Sequence, residues 1–318
     1  MSGARVAAIG LTSWDRILVT DFYPEAGEYA IVRHAIEQSG GTTANTAHAL
    51  SRIGIPVTLA AMVGDDREGQ QLRQDLTDAG CDVRYIHTRA GEPSDSGVII
   101  VSGRAADSNR TIFWQQGARL RMGDALAIDD LFAHDLVYLD VDDQRLRRFI
   151  VDLPMHVSPR TRLLGSLTYL VELSPDDAFE IGLQHNYLVG NERELRYVTG
   201  MTTTDEALER LQTRMTSSGL MMAAISCGSN GCVVLDRNEI HHIPGFKVDV
   251  VDTTGAGDAF AAGIALGIIE RRSLRETGLI GNAMGALSIR ALGARAGLPT
   301  RDELDALLAD AQSPLVAQ

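Results

Sequence analysis

Apolar positions along this chain fall in short bursts separated by turn residues, and the bursts alternate between two periodicities. Val6-Ala7-Ala8-Ile9 is a continuous apolar run inside Arg5–Leu11, which reads as a buried strand. Thr43–Ile53 has helical spacing and stops at Gly54 with Pro56 just beyond. The same alternation predicts a strand at Val57–Val63, a helix at Arg67–Ala79 ended by Gly80, a strand at Leu136–Asp140 and a helix near Gln144–Asp152. Tyr187–Val189 is a short strand ahead of a helix near Glu192–Val198, and Met221–Ser226 and Cys232–Leu235 are strands around the turn Gly228-Ser229-Asn230-Gly231. Capping boxes at Thr203…Glu206, Ser273…Glu276 and Thr300…Glu303 open helices that run to about Ser217, Leu292 and Ala311. A further helix spans about Ala256–Ile269.

Buried strands alternating with helices predict an α/β protein: a mostly parallel sheet covered on both faces, a three-layer α/β/α domain. Two stretches interrupt the alternation. Tyr29–His34, Gly97–Val101 and Thr111–Trp114 are β-branched and aromatic in character. They predict one small β-sheet, a lid formed by residues 16–39 and 97–116 and lying over an edge of the main domain. Residues 1–15, 40–96 and 117–318 form that domain, and the tail at 313–318 reads as loose.

Composition narrows the function. The 318 residues allow about two domains, or one with an appendage, and 45% hydrophobic residues supply a sizeable core. A net charge of −13 argues against a nucleic-acid or anionic-membrane surface. No apolar run reaches the roughly 18 residues of a membrane span, and the first burst is too short for a signal-peptide core. Cys81, Cys227 and Cys232 cannot build a disulfide framework, which points to the reducing cytoplasm. The only lysine, Lys247, is followed by Val248, so no Gly-Lys-Ser/Thr phosphate loop exists. Phosphates would have to be held by backbone amides, helix ends, arginines or metal.

Candidate chemistry concentrates at Asp252-Thr253-Thr254-Gly255-Ala256-Gly257-Asp258, after an expected strand at Lys247–Val251 and before an Ala/Gly-rich helix. Gly255, Ala256 and Gly257 at a helix start offer backbone N–H groups to an anion. A carboxylate beside an anion site would repel the anion. Asp258 is better explained as a general base acting on a hydroxyl that attacks phosphorus. Gly40-Gly41 permit close backbone approach or a hinge, and Asn45 can both donate to and accept from a hydroxyl. From spacing alone, Asp15 reads as a solvated turn residue and Asn191 with Glu194 as a cap and its partner.

Together these strings resemble the ribokinase-like, or PfkB-type, sugar kinases over about residues 4–305. The Asp252–Asp258 string is similar to that family's C-terminal signature, and Gly40-Gly41-Thr42-Thr43-Ala44-Asn45 to its N-terminal one. Val63-Gly64-Asp65-Asp66, Asn191-Glu192-Arg193-Glu194 and Ser226-Cys227-Gly228-Ser229-Asn230-Gly231 resemble its intervening landmarks. The resemblance implies ATP-dependent transfer of a phosphoryl group to a hydroxymethyl group of a small carbohydrate, with Asp258 as base. It implies that Asp15, Gly40, Gly41 and Asn45 bind sugar, and that Ser226, Gly228, Gly231 and Asn282 lie along the nucleotide. Asn191 and Glu194 would work through Mg²⁺-bound water. Asp252, with the Thr254 carbonyl, would form a monovalent-cation loop suited to K⁺. Ser108-Asn109-Arg110-Thr111 resembles the lid of ketohexokinase-type members, where Asn109 would reach sugar and Arg110 phosphate. Gly165 and Ser166 depart from the acidic and amide pair that many members carry there.

The expected acceptor is a neutral sugar: a ketohexose, ribose or 2-keto-3-deoxygluconate. Arg16 is the only basic residue in Asp15–Asp21 and Gly40–Asn45, and Arg33 is the residue that would have to turn inward to clamp a sugar phosphate. A nucleoside kinase of the same fold is the alternative, with Phe22, Tyr29 or Trp114 as a base clamp. A non-enzymatic sensor is a second alternative, and the presence of Asp258 argues against it. Exposed lid edges suggest a homodimer. His241-His242 reads as a strand end and Met221-Met222 as core.

Overall fold

The computed structural model describes residues 5–103, 109–153 and 160–312. Ser108 and the tail at 313–318 lie outside the described residues, as does the side chain of Asn109. In chain order the elements are β1 (Val6–Gly10), β2 (Ser13–Thr20), β3 (Val32–Gly40), α1 (Thr42–Arg52), β4 (Val57–Gly64), α2 (Arg67–Asp78), β5 (Asp82–Arg89), β6 (Ser96–Ser102) and β7 (Asn109–Gln115). They continue with α3 (Ile128–Leu131), β8 (Leu136–Asp140), α4 (Gln144–Asp152), β9 (Arg162–Ser166), α5 (Pro175–Gly182), β10 (Tyr187–Asn191), α6 (Glu192–Thr199) and α7 (Thr204–Met215). The remainder is β11 (Met222–Ser226), β12 (Cys232–Leu235), β13 (Ile240–Ile243), α8 (Ala256–Ile269), α9 (Leu274–Ser288) and α10 (Arg301–Gln312).

The main sheet runs β13-β12-β11-β10-β9-β8-β1-β4-β5. Every pairing from β5 to β11 is parallel, and only the β11–β12 and β12–β13 pairings are antiparallel, so β12 alone runs against the other strands. Its strands feed two cores by strict alternation. Val6 and Ala8 of β1, with Leu136 and Tyr138 of β8, pack under α1, α2, α8, α9 and α10. Ala7 and Ile9, with Val137 and Leu139, face the opposite layer, where α4 packs. Further along, Ala223 and Ile225 of β11 pack against α5, α6 and α7. A period of two on strands buried on both faces produces this three-layer architecture.

The chain leaves β1 for β4 and β5 on one side, then returns to β8 on the other. That reversal opens a crevice at the carboxyl ends of β1 and β8, the usual ligand position in such sheets. Thr43, in the first turn of α1, ties the crevice together: its hydroxyl accepts from Leu11 N–H and donates to the Asp140 carbonyl. Gly10 is required here, because a Cβ would lie 2.2 Å from the Asp140 carbonyl oxygen.

A separate four-stranded sheet, β3-β2-β6-β7, covers one side of this crevice. Ile17, Ile99 and Val101 pack its inner face against Leu292. The expected strand at Tyr29–His34 begins only at Val32, and Tyr29 is 83% exposed in the preceding loop. The expected strand at Lys247–Val251 is an irregular segment, and the expected helix to Leu292 stops at Ser288. Strand β5 is half polar because it is a sheet edge, and its sequence lacks a long apolar run.

Gly165 has a packing explanation. The buried His185 ring occupies the space of the missing side chain, with its Cδ2 2.3 Å from where a Cβ would stand. His185 Nδ1 is held by the carbonyls of Ile181 and Gly182, so the ring cannot swing away cheaply. Burial pushes the His185 pKa down to about 3, keeping it neutral. Gly165→Ala is expected to destabilise the fold by about 1–3 kcal/mol through overpacking. Urea unfolding measures the loss, and His185→Ala in the same chain should recover part of it.

Candidate active site

Helix α8 begins at Gly255, whose φ of 76° is left-handed and whose position carries no side-chain cap. A side chain there would also meet Ala294, 2.7 Å from the added Cβ. The uncapped N-terminus therefore opens toward the cleft. Gly257 faces free space, with nothing within 4 Å of where a Cβ would point, so its backbone is accessible to a ligand. Ala256 N–H makes a 3.3 Å contact back to the Thr253 carbonyl.

One turn in, Asp258 meets α1. Its Oδ2 accepts from Asn45 Nδ2 at 2.8 Å, and its carbonyl accepts from the Thr46 hydroxyl at 3.3 Å. Burial drives the Asp258 carboxyl up to about 7. Asn45 and Arg110 oppose the rise, and Asp140 and Asp15 add to it. Asp258 keeps a margin of solvent contact through the cleft, which limits how far burial can carry the shift.

Asp15 lies on β2, buried, with Oδ1 accepting from the Ser13 hydroxyl at 2.8 Å. The reading of Asp15 as a solvated turn residue does not hold. Gly40 makes room for it: a Cβ there would stand 1.9 Å from Asp15 Oδ2. Burial raises the Asp15 carboxyl, while Ser13 and Arg295 pull it down. Gly41 caps α1 at φ 91° and approaches Thr12 too closely for any side chain. Arg110, on β7, reaches across from the small sheet and donates to the Thr253 carbonyl at 3.0 Å. The backbone of Asn109 starts the same strand.

Beyond α8 lies a cleft of about 750 Å³, lined among others by Ser226, Gly228, Gly231, Gly257, Phe260 and Asn282. Asn282 donates Nδ2 to the carbonyls of Ile243 and Pro244, fixing the bend that forms one wall. A small adjoining pocket of about 70 Å³ joins Asn191, Glu194 and Ser226 to Gly257 and Asp258. Asn191 and Glu194 do form a reciprocal capping box. Glu194 is nonetheless half-buried beside this pocket, and burial raises its carboxyl above the usual range. Asp252 accepts from Thr254 N–H, the Thr254 hydroxyl and Gly293 N–H, which pins the loop before α8.

Asp15, Gly40, Gly41, Asn45 and Asp258 thus gather at one end, and Asn191, Glu194, Ser226, Gly228, Gly231 and Asn282 at the other, with Gly255 to Gly257 between. Three residues of this site were not foreseen. Asp140 ends β8 fully buried; among the described residues neither carboxylate oxygen meets a donor in good hydrogen-bonding geometry, and the Thr42 and Ser166 hydroxyls nearby only partly offset the rise that burial gives its carboxyl. Arg147, also fully buried, donates to the carbonyls of Val141 and Ser166 beside it. Arg295 donates Nε to Asn45 Oδ1 at 2.9 Å and Nη2 to the Gly40 carbonyl at 3.3 Å. Position at a strand's carboxyl end could have flagged Asp140. Nothing in the Gly293-Ala294-Arg295 run announced Arg295.

A two-ended cleft with an acid at a bare helix N-terminus defines a small-molecule phosphotransferase. The family model described as pfkB family carbohydrate kinase matches residues 4–301. The chain is 28% identical over 308 residues to a ribokinase of Bacillus subtilis, covering 95% of this chain and 99% of that one. It is 29% identical over 314 residues to an ATP-dependent ribose-1-phosphate kinase of Halopiger xanaduensis, covering 96% and 98%. The crystal structure of a putative ribokinase from Agrobacterium tumefaciens superposes with a TM-score of 0.84 at 22% identity, covering 97% and 98% of the two chains. The chain belongs to the PfkB family of carbohydrate kinases and has the ribokinase-like fold. It is an ATP-dependent phosphotransferase.

A general base at Asp258 would have to be ionised to accept a proton, and burial holds its carboxyl near about 7. The acidic limb of kcat/KM is therefore expected near pH 7, with activity falling tenfold per unit below it, whereas an unshifted aspartate would place the limb near pH 4. A pH–rate profile with saturating ATP checks this.

Proposed function

We propose that the enzyme transfers the γ-phosphoryl group of ATP to a hydroxymethyl group of a small neutral carbohydrate. The observation that carries the reading is the position of Asp258, bonded to Asn45 on the Asp15 side and adjoining the bare start of α8. An acceptor hydroxyl lying between Asp15 and Asp258 would give its proton to Asp258 as its oxygen forms a bond to phosphorus. The bond to the leaving ADP oxygen breaks in the same displacement. The amides of Gly255, Ala256 and Gly257 would face the charge that develops on the transferred group. Arg110, reaching from the small sheet to the Thr253 carbonyl, would add a cation on the phosphate path when that sheet closes as a lid. The described parts of residues 16–39 and 97–116 would be that lid.

Asn191 and Glu194 offer oxygen ligands beside the phosphate path, a donor set that fits Mg²⁺ held mainly by phosphates and water. The ion would neutralise phosphate charge. The Asp252 carboxylate spends three of its roughly four acceptor sites on Thr254 and Gly293, leaving about one for K⁺ beside the Thr254 carbonyl. Ile112 and Phe113 of β7 are about half exposed beside an unpaired sheet edge, which supports a homodimer through the lid. With all three cysteines free and no described helix long and apolar enough to cross a membrane, a cytoplasmic site of action fits.

The neutral acceptor, of ketohexose, ribose or 2-keto-3-deoxygluconate type, is supported by the fate of the nearby cations. Arg33 pairs with Asp21 and is 58% exposed, so it does not turn inward, and Arg16 pairs with Glu37 at the surface. Of the candidate base clamps, Tyr29 and Phe22 are exposed. Trp114 is committed to Asp95, Tyr169 and Arg119, which disfavours a nucleoside acceptor. A second reading, a pentose phosphate acceptor, is favoured by the likeness to the ribose-1-phosphate kinase.

A coupled assay of fructose, ribose, 2-keto-3-deoxygluconate, ribose 1-phosphate and adenosine decides among these. A neutral sugar should have the highest kcat/KM, and a tenfold advantage for ribose 1-phosphate or adenosine would overturn the assignment. Asp258→Asn should lower kcat by about 10²–10⁴-fold with ATP binding retained. Asp15→Ala should weaken acceptor affinity by about 1–3 kcal/mol and leave ATP affinity unchanged, as read by calorimetry.

A further inference from the structure

Arg295 lies under the acceptor end of the cleft without belonging to any signature string. Arg295 is half-buried, and the water its guanidinium loses lowers its pKa to about 10, while Cys81, Asp75, Asp15 and Asp258 act in the opposite sense. It remains a cation at neutral pH. A buried guanidinium is costly unless its donors are used, and here two of them are used on the substrate-facing turn: Nε on Asn45 Oδ1 and Nη2 on the Gly40 carbonyl.

The consequence lies in the Asn45 amide. An asparagine side chain can be turned end for end at little steric cost, because its oxygen and nitrogen are nearly the same size. Arg295 has no acceptor, so it accepts only the turn that presents Oδ1 to it. That choice sends Nδ2 to Asp258 Oδ2. The reverse turn would place an amide oxygen against a carboxylate and leave Arg295 Nε facing an N–H group. We infer that Arg295 is a positioning residue for phosphoryl transfer: it acts through Asn45 to aim an N–H at Asp258 and so holds the ionised base in one rotamer. The relay also fixes what Asn45 can offer a substrate. With one Oδ1 lone pair on Arg295 and one N–H on Asp258, one N–H and one lone pair remain for a substrate hydroxyl. This inference rests on the reading of Asp258 as the base.

The groups that face Asp258 are Asn45 from α1, Asp140 and Tyr138 from β8, Arg110 from β7, Asp15 from β2, and Arg295 behind Asn45. Removing Arg295 deletes a nearby positive charge and releases the oriented N–H. Both changes favour the protonated carboxyl and move its pKa up.

The test uses Arg295→Met and Arg295→Lys in the full chain, each also combined with Asn45→Ala. Circular-dichroism melting first establishes that each variant is folded. Arg295→Met should lower kcat by about tenfold to a hundredfold, a cost typical of a misaimed catalytic group, and should raise the acidic limb of kcat/KM by about one pH unit. The KM for ATP should stay within about twofold. Arg295→Lys keeps a cation and a donor for Asn45 Oδ1, and its limb should stay at the wild-type position. Because Arg295 acts through Asn45, either Arg295 substitution should add less than about twofold to the loss caused by Asn45→Ala. If Arg295→Met does not fold, this cycle on Arg295→Lys carries the test. A folded Arg295 variant whose loss multiplies that of Asn45→Ala, or a folded Arg295→Met with wild-type kcat and limb, would overturn the inference. Asp258→Asn separates the two levels. Retained turnover in that variant refutes the base itself, whereas an inactive Asp258→Asn beside an unaffected Arg295→Met refutes only the relay.

Discussion

The hydrogen bond between Asn45 and Asp258 joins side chains 213 residues apart, and the architecture of the site follows from it. The two residues stand in the first turns of α1 and α8, which lie side by side on one face of the sheet. Close approach of these helices needs small residues at their contact, and Ala44, Ala47, Ala259 and Ala262 supply them in the shared core. Behind α8, Gly263 has its missing side chain 2.8 Å from Gly281 on α9, so the third helix closes up in the same way. Thr43 fastens α1 to the ends of β1 and β8. Asp258 is thereby set at the reversal point of the strand order, where a ligand can enter.

Electrostatics follows from the same geometry. Asp15 and Asp140 lie close enough to Asp258 to raise its carboxyl, and burial raises all three. Arg147 and Arg295 lie beneath them, each with its donors on backbone carbonyls or on Asn45. These arginines stabilise the acidic cluster while directing few donors into the cleft. On the proposed reading, phosphate charge would be met by helix N–H groups, by Arg110 and by cations, in keeping with a chain that has one lysine and a net charge of −13.

Much of this was legible in the sequence, for identifiable reasons. Strands buried on both faces announce themselves as apolar runs, so β1, β4 and β8 were readable, and capping boxes marked α7, α9 and α10 within a few residues. Strands that are edges or mostly exposed, such as β5 and β3, carry polar side chains and were missed or shifted. The segment at 247–251 has the alternation of a strand but joins neither sheet of the described residues, and Val251 N–H instead bonds to the Ile289 carbonyl just past α9. The glycine-rich strings exposed the two ends of the site, since close backbone approach leaves a compositional trace. Arg295 left none: its role depends on a fold that returns residues after α9 to the start of α1. Gly165 looked like a loss of chemistry and proves to be room for His185.

The central claim is that Asp258 receives the acceptor's proton while the start of α8 faces the transferred group. A crystal structure with ADP, aluminium fluoride and the preferred acceptor tests it most directly. The account predicts an Asp258 carboxylate oxygen within about 2.6–3.2 Å of the attacking oxygen, and the fluoride ligands against the amides between Gly255 and Gly257. An attacking oxygen bonded to another side chain, with Asp258 turned away from it, would contradict the account.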